Sequence, residues 1–134
     1  MKLAIVDDNK LEQELIFNTL RTYEHERNIS LDISSYSDGN SFLNTYVPGD
    51  FDLIFMDIYL NELNGIDIVR KIRQMDSKVM IVFLTTSKEY IFEAAPFHFF
   101  DYILKPFEST QIFHVLDDAL ALLPEQEAEL SFEY

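Results

Sequence analysis

Phe51-Asp52-Leu53-Ile54-Phe55-Met56-Asp57 is the stretch on which the fold turns. Its last four apolar residues leave no polar face, as in a strand covered on both sides of a parallel sheet, and the run ends at an acid. Leu3-Ala4-Ile5-Val6 reads the same way and ends at Asp7-Asp8. Val79 to Leu84 is a third continuous apolar run, followed by Thr85-Thr86, and Tyr102-Ile103-Leu104 is a shorter one before Lys105-Pro106. Leu31 and Ile33 alternate with Asp32 and Ser34, which predicts a half-buried strand at an edge.

The segments between these runs carry helical spacing. From Asn9 to about Arg27, residues Leu11, Leu15, Ile16, Leu20 and Tyr23 fall on or near one face, and Asn9 with Glu12 resembles a capping box. A short helix with Phe42, Leu43 and Tyr46 follows the Asp38-Gly39 turn and is punctuated by Pro48-Gly49. Residues 58–64 read as a loop, and Gly65 to Met75 as a helix with Ile68, Ile72 and Met75 on one side. Residues 87–95 read as a helix stopping before Pro96. Ile112, Val115, Leu116, Ala119 and Leu123 define a last helix, ended by Pro124. Five strands alternating with five helices predict an α/β fold, a five-stranded parallel doubly wound sheet with right-handed crossovers. Ligands of such folds sit beyond the carboxyl ends of the strands.

Composition narrows the function. The 134 residues suit one domain, and 48% of them are apolar. Ten basic against 24 acidic residues leave a net charge of −14, which argues against direct nucleic-acid binding and against an anionic membrane surface. The absence of cysteine excludes disulfides, thiolate zinc sites and thiol catalysis. The apolar run at the start is too short for a signal peptide, and no stretch has the length of a membrane span. The expectation is a soluble cytoplasmic domain. His25, His98 and His114 have no metal-ligand spacing, and the many phenylalanines read first as core.

The chemistry gathers at the strand ends: Asp7 and Asp8, Asp57, Thr85 with Thr86, and Lys105. Singly, each has an ordinary reading. Asp8 or the threonines can cap a helix, Asp57 can sit in a turn, and Lys105 can be a solvated lysine. Together they form a set suited to a phosphoryl group. Three carboxylates repel one another, a hard divalent cation such as Mg²⁺ or Mn²⁺ relieves the repulsion, and an ammonium and a hydroxyl serve the phosphoryl oxygens. No Gly-rich loop follows the first strand, so a nucleotide cradle is not indicated.

These residues make the sequence similar to the receiver domain of two-component response regulators. The carriers are Val6-Asp7-Asp8, Met56-Asp57-Ile58 with Gly65, Phe83-Leu84-Thr85 and Tyr102-Ile103-Leu104-Lys105-Pro106-Phe107. The run Thr85 to Tyr90, with Asp101-Tyr102 before Lys105-Pro106, looks like the LytTR-type (LytR/AgrA-like) subgroup. The resemblance covers residues 1–123 as a receiver and leaves 124–134 as an acidic tail or the start of a linker. It implies a flavodoxin-like sheet of order 2-1-3-4-5. It implies Asp57 as phosphoacceptor, and Mg²⁺ held by Asp7, Asp8 and Asp57 and by the Tyr59 main-chain carbonyl. Lys105 would bind a phosphoryl oxygen, Thr85 would be the switch hydroxyl, and Tyr102 the aromatic that swings inward. The Lys105–Pro106 bond is expected to be cis.

A sensor histidine kinase is the implied donor, and the face of fourth helix, fifth strand and last helix the implied output and homodimer surface. In this subgroup a DNA-binding domain for transcription often follows. Whether this chain is the receiver half of such a regulator or acts alone stays open. Asn61 replaces the common proline four residues after the acceptor, Thr86 a small residue after the switch hydroxyl, and Phe99 another small residue. The rival readings are an aspartate-nucleophile phosphatase, a flavodoxin-like cofactor module, and a receiver-like interaction module that acts without phosphorylation. Adjacent rather than spaced acids after the first strand disfavour the phosphatase, and the same acidic loop disfavours the flavin.

Overall fold

The structure, a computed structural model, describes residues 1–60 and 63–123. Five parallel strands, β1 (Lys2–Val6), β2 (Asp32–Tyr36), β3 (Leu53–Met56), β4 (Met80–Thr85) and β5 (Asp101–Leu104), form one sheet in the order β2-β1-β3-β4-β5. Five helices connect and flank them: α1 (Lys10–Arg27), α2 (Gly39–Thr45), α3 (Gly65–Arg73), α4 (Ile91–Ala94) and α5 (Ser109–Leu122). β1 leads to β2 on one side, whereas β3 adds on the other. The switch point therefore lies between β1 and β3, where such folds open a crevice. The registers Val6↔Met56, Met56↔Phe83 and Thr85↔Leu104 set the ends of β1 and β3 level with each other and carry β4 and β5 two residues further in the same direction.

Alternation along each strand splits the core into two layers. Ala4, Val6, Ile54, Met56, Ile81 and Phe83 face Phe42 of α2, the Ile66, Ile68, Val69 and Ile72 side of α3, and Ala94 of α4. Leu3, Ile5, Leu53, Phe55, Val82 and Leu84 face Ile16, Leu20 and Tyr23 of α1, with Ile112, Val115, Leu116 and Ala119 of α5. All four strand residues of β3 are buried, as its unbroken apolar run requires.

Several boundaries differ from the sequence reading. Leu11 and Leu15 are 72% and 55% exposed, because the buried stripe of α1 runs through Gln13, Ile16, Leu20 and Tyr23. α3 ends at Arg73, so Met75 lies beyond it and is exposed. The fourth helix is a single turn, Ile91–Ala94, continued as a 3₁₀ turn through Ala95–Phe97 that includes Pro96. Residues 87–90 turn instead of coiling, since the Ser87 hydroxyl accepts the Glu89 N–H at 3.1 Å. Tyr59–Leu60 and Leu63–Asn64, expected as loop, pair as a short antiparallel hairpin. The readings at Asn61 and at 124–134 lie outside the described residues.

Candidate functional site

β1 and β3 deliver their terminal acids to one point. Oxygens of Asp7, Asp8 and Asp57 all lie within 4.8 Å of one another. Asp7 is held on every polar atom. Its N–H donates to the Tyr36 carbonyl at 3.0 Å, Oδ1 accepts the Asn9 N–H at 2.9 Å, and Oδ2 accepts Lys105 Nζ at 2.8 Å. Its own carbonyl accepts Nε2 of Gln13. Asp57 is anchored by its N–H to the Val6 carbonyl at 3.0 Å, and its Oδ1 accepts the Tyr59 N–H at 3.2 Å.

Gly65 opens α3 directly behind Asp57. A Cβ there would meet the Asp57 carbonyl oxygen at 2.1 Å and the Ile58 Cα at 3.0 Å. Only glycine lets the helix start that close to the strand end. The Gly65 N–H fixes the approach by donating to the Ile58 carbonyl at 2.8 Å.

Lys105 reaches in from the end of β5, its side chain only 8% exposed. Nζ lies 3.7 Å from Asp57 Oδ2 and 4.0 Å from Glu12 Oε2 in addition to its bond with Asp7. Burial works against its charge, but the carboxylates of Asp7, Asp57 and Glu12 outweigh burial and hold its pKa above the usual lysine range. Asp57 is pushed the other way. Burial raises its pKa to about 7, Lys105 opposes the rise, and Asp7 and Asp8 add to it. One ammonium among crowded, buried carboxylates leaves the acids short of positive charge. Oxygen donors so disposed fit a small hard divalent cation.

Thr85 ends β4 fully buried, and its Oγ1 has no hydrogen-bond partner among the described residues. Thr86, the other candidate, is exposed. Thr85 shares its sheet face with Phe83, against which Tyr102 packs at 6.0 Å between ring centres. The Tyr102 hydroxyl donates to the Ser87 carbonyl at 2.6 Å, tying β5 to the segment after β4. Phe99 fills the space beside them, 6.0 Å from Phe83 and 5.7 Å from Tyr102. Tyr59 begins the hairpin and sets its ring edge-on to Tyr90 at 5.5 Å, linking the loop after β3 to the segment before α4. The Lys105–Pro106 bond is cis. A cavity of about 490 Å³ adjoins Asp8, bordered by Ser37, Asp38, Asn40 and Leu63.

Asp7, Asp8, Asp57 and Lys105 thus come together, with Thr85 and Tyr102 on the neighbouring strands. The sequence reading did not single out Gln13 or the approach of Glu12 to Lys105. The signal for Gln13 was present: an amide in register with Ile16, Leu20 and Tyr23 on the buried side of α1.

The fold has counterparts among known proteins. The family described as the response regulator receiver domain matches residues 3–117. Protein MrkE of Klebsiella pneumoniae is 34% identical over 87% of this chain and 42% of its own length. Transcriptional regulatory protein YpdB of Escherichia coli K12 is 31% identical over 95% of the chain and 50% of its own length. Sensory transduction protein LytR of Staphylococcus epidermidis is 34% identical over 84% and 43%. The chain therefore spans about half the length of the curated relatives it matches. The crystal structure of the MrkE response regulatory domain superposes with a TM-score of 0.76 at 33% identity, over 90% of this chain and 96% of that one. The receiver domain of sensor histidine kinase PA1611 from Pseudomonas aeruginosa, with a magnesium ion in its active-site cleft, shares the fold at a TM-score of 0.76 and 23% identity, over 90% of this chain and 97% of that one.

Proposed function

The chain belongs to the response regulator receiver domain family, with LytTR-type relatives, and from that premise we propose that Asp57 accepts a phosphoryl group from a sensor histidine kinase. The observation that carries the reading is the gathering of Asp7, Asp8 and Asp57 around one buried ammonium, Lys105, at the sheet's switch point. An oxygen of the Asp57 carboxylate attacks the phosphorus of a phosphohistidine. A phosphorus–oxygen bond forms as the phosphorus–nitrogen bond breaks, and its electron pair returns to the imidazole. Mg²⁺, with Mn²⁺ as the alternative, is the cation we assign to Asp7, Asp8, Asp57 and the Tyr59 carbonyl, directly or through water, where its charge offsets the phosphoryl oxygens and keeps Asp57 ionised.

Lys105 contributes from the protein side. Its Nζ already stands 3.7 Å from the acceptor carboxylate and exchanges part of its pairing with Asp7 for a phosphoryl oxygen. Thr85 donates its hydroxyl, which has no partner among the described residues, to a second oxygen. Because Thr85 shares a sheet face with Phe83 and Tyr102, movement of its side chain carries to the Tyr102–Ser87 bond and the α4 segment. Two packings of the α4-β5-α5 face then differ in stability by what the phosphoryl contacts supply. That face serves as the output and homodimer surface. In the full regulator the output is transcription through a DNA-binding domain outside this chain. The name of YpdB, a transcriptional regulatory protein, supports that assignment.

On this reading the domain is a cytoplasmic switch that catalyses its own phosphorylation and dephosphorylation, with no substrate turnover beyond that. No helix among the described residues is long and apolar enough to cross a membrane. The test is incubation with Mg²⁺ and acetyl phosphate, read by intact mass beside Asp57→Asn. The expected result is a Mg²⁺-dependent gain of one phosphoryl group in the native protein alone. No gain in a folded protein, from the small donor or from a histidine kinase, overturns the reading in favour of a phosphorylation-independent interaction module.

A further inference from the structure

Gln13 occupies the buried stripe of α1 between the acid pair and Ile16, yet it is an amide. Its Nε2 donates to two carbonyls, that of Asp7 at 2.5 Å and that of Tyr36 at 3.2 Å. The Tyr36 carbonyl also accepts the Asp7 N–H at 3.0 Å, so one side chain bridges the carboxyl ends of β1 and β2.

The Asp7 carbonyl is part of the peptide that joins Asp7 to Asp8. The tilt of that peptide sets ψ of Asp7 and φ of Asp8, and hence where both carboxylates point. The β1–β2 pairing ends at Val6↔Tyr36, one residue short of it. Sheet hydrogen bonding therefore fixes the N–H of Asp7 but not its carbonyl. Asn9 and Lys105 hold the carboxylate of Asp7. Among the described residues, Gln13 is the side chain that grips the backbone between the two acids.

We propose that Gln13 is a positioning residue for the divalent-cation site. It holds the Asp7–Asp8 peptide in the orientation that presents both carboxylates toward Asp57. The proposal rests on the assignment of these acids as cation ligands. Pre-oriented ligands bind a metal without first having to reorder, which is why partners one step removed from a metal affect its affinity. A contribution to the fold alone is the competing role. The β1–β2 ladder is already complete without Gln13, so its bond to Tyr36 adds little to the sheet.

Isothermal titration of Mg²⁺ into the whole chain separates the two roles. Gln13→Met keeps the length and apolar contacts of the side chain and removes its donors. The expected result is Mg²⁺ binding weakened about tenfold or more in Gln13→Met. Phosphorylation by acetyl phosphate should recover in Gln13→Met at saturating Mg²⁺, since the acceptor itself is untouched. Tyr46→Phe serves as the stability control. It loses the 2.6 Å bond to Asp76 at the opposite end of the strands and should leave Mg²⁺ affinity unchanged. An unchanged Mg²⁺ affinity in Gln13→Met overturns the proposal. A native protein that takes up no Mg²⁺ overturns the cation reading beneath it, and the role of Gln13 with it.

Discussion

Replacing Thr85 with valine should stabilise the resting protein and silence its switch. The Thr85 hydroxyl is fully buried and has no hydrogen-bond partner among the described residues, so it carries the cost of a desolvated polar group with nothing in return. That cost is about 1–2 kcal/mol. Valine has nearly the same shape, keeps the β-branched geometry favoured in a strand, and leaves no cavity beside Phe83. Thr85→Val should therefore gain about 1–2 kcal/mol. For a chain of 134 residues, each kcal/mol raises Tm by about 3–4 °C, so the expected rise is about 3–8 °C. Thermal unfolding followed by circular dichroism, without divalent cation or phosphodonor, measures it. With Mg²⁺ and acetyl phosphate the variant should still gain mass at Asp57. It should lack the further conformational response of the native protein at the Tyr102–Ser87 contact, read by amide hydrogen exchange. A variant less stable than the native protein by 1 kcal/mol or more would refute the reasoning, because the hydroxyl would then have a partner in the resting state.

Gly65→Ala should cost about 2–4 kcal/mol, because the new Cβ meets the Asp57 carbonyl at 2.1 Å and neither backbone segment can retreat without breaking the Gly65–Ile58 bond. The urea midpoint should fall with an unchanged slope, and an unchanged midpoint would show that the loop yields. The pH dependence of Asp57→Asn has a definite sign. The folded pKa of Asp57, about 7, lies above its unfolded value, so the folded protein holds a proton that the unfolded chain releases. Stability from this group is complete below about pH 4 and is lost as pH rises through 7. Without divalent cations, the Tm advantage of Asp57→Asn over the native protein should widen between pH 4 and pH 8. A gap that stays constant across that range would sink the assignment of a strained acceptor carboxylate.

Most of the sheet was legible because burial on both sides writes itself into sequence. β3 needed four apolar residues in a row, and Leu53 to Met56 supplies them. The acid pair, Asp57, Thr85 and Lys105 were legible by the same logic, since each stands where an apolar run stops. What escaped depended on contacts that no local pattern records. Leu11 and Leu15 satisfy helical spacing as well as Ile16 and Leu20 do. Gln13 has the deeper place because its amide has two carbonyls to meet. The single turn of α4 escaped because Ser87 bonds Glu89 locally, which competes with helix and delays it to Ile91. The hairpin at Tyr59–Leu60 and Leu63–Asn64 is too short for any period to be read from its residues.

The two-layered core makes the sheet a partition. Phe83, Thr85 and Tyr102 work on the α2-α3-α4 side, while Val82, Leu84 and Ile103 belong to the α1-α5 side. A rearrangement begun at Thr85 therefore has a room of its own, walled off by strand backbones that need not move. The inward residues of α1 and α5 set how firmly that second layer holds together. Substitutions at Leu20, Val115 or Ala119 therefore act first on the α1-α5 layer, and those at Phe99 or Tyr102 on the α2-α3-α4 layer.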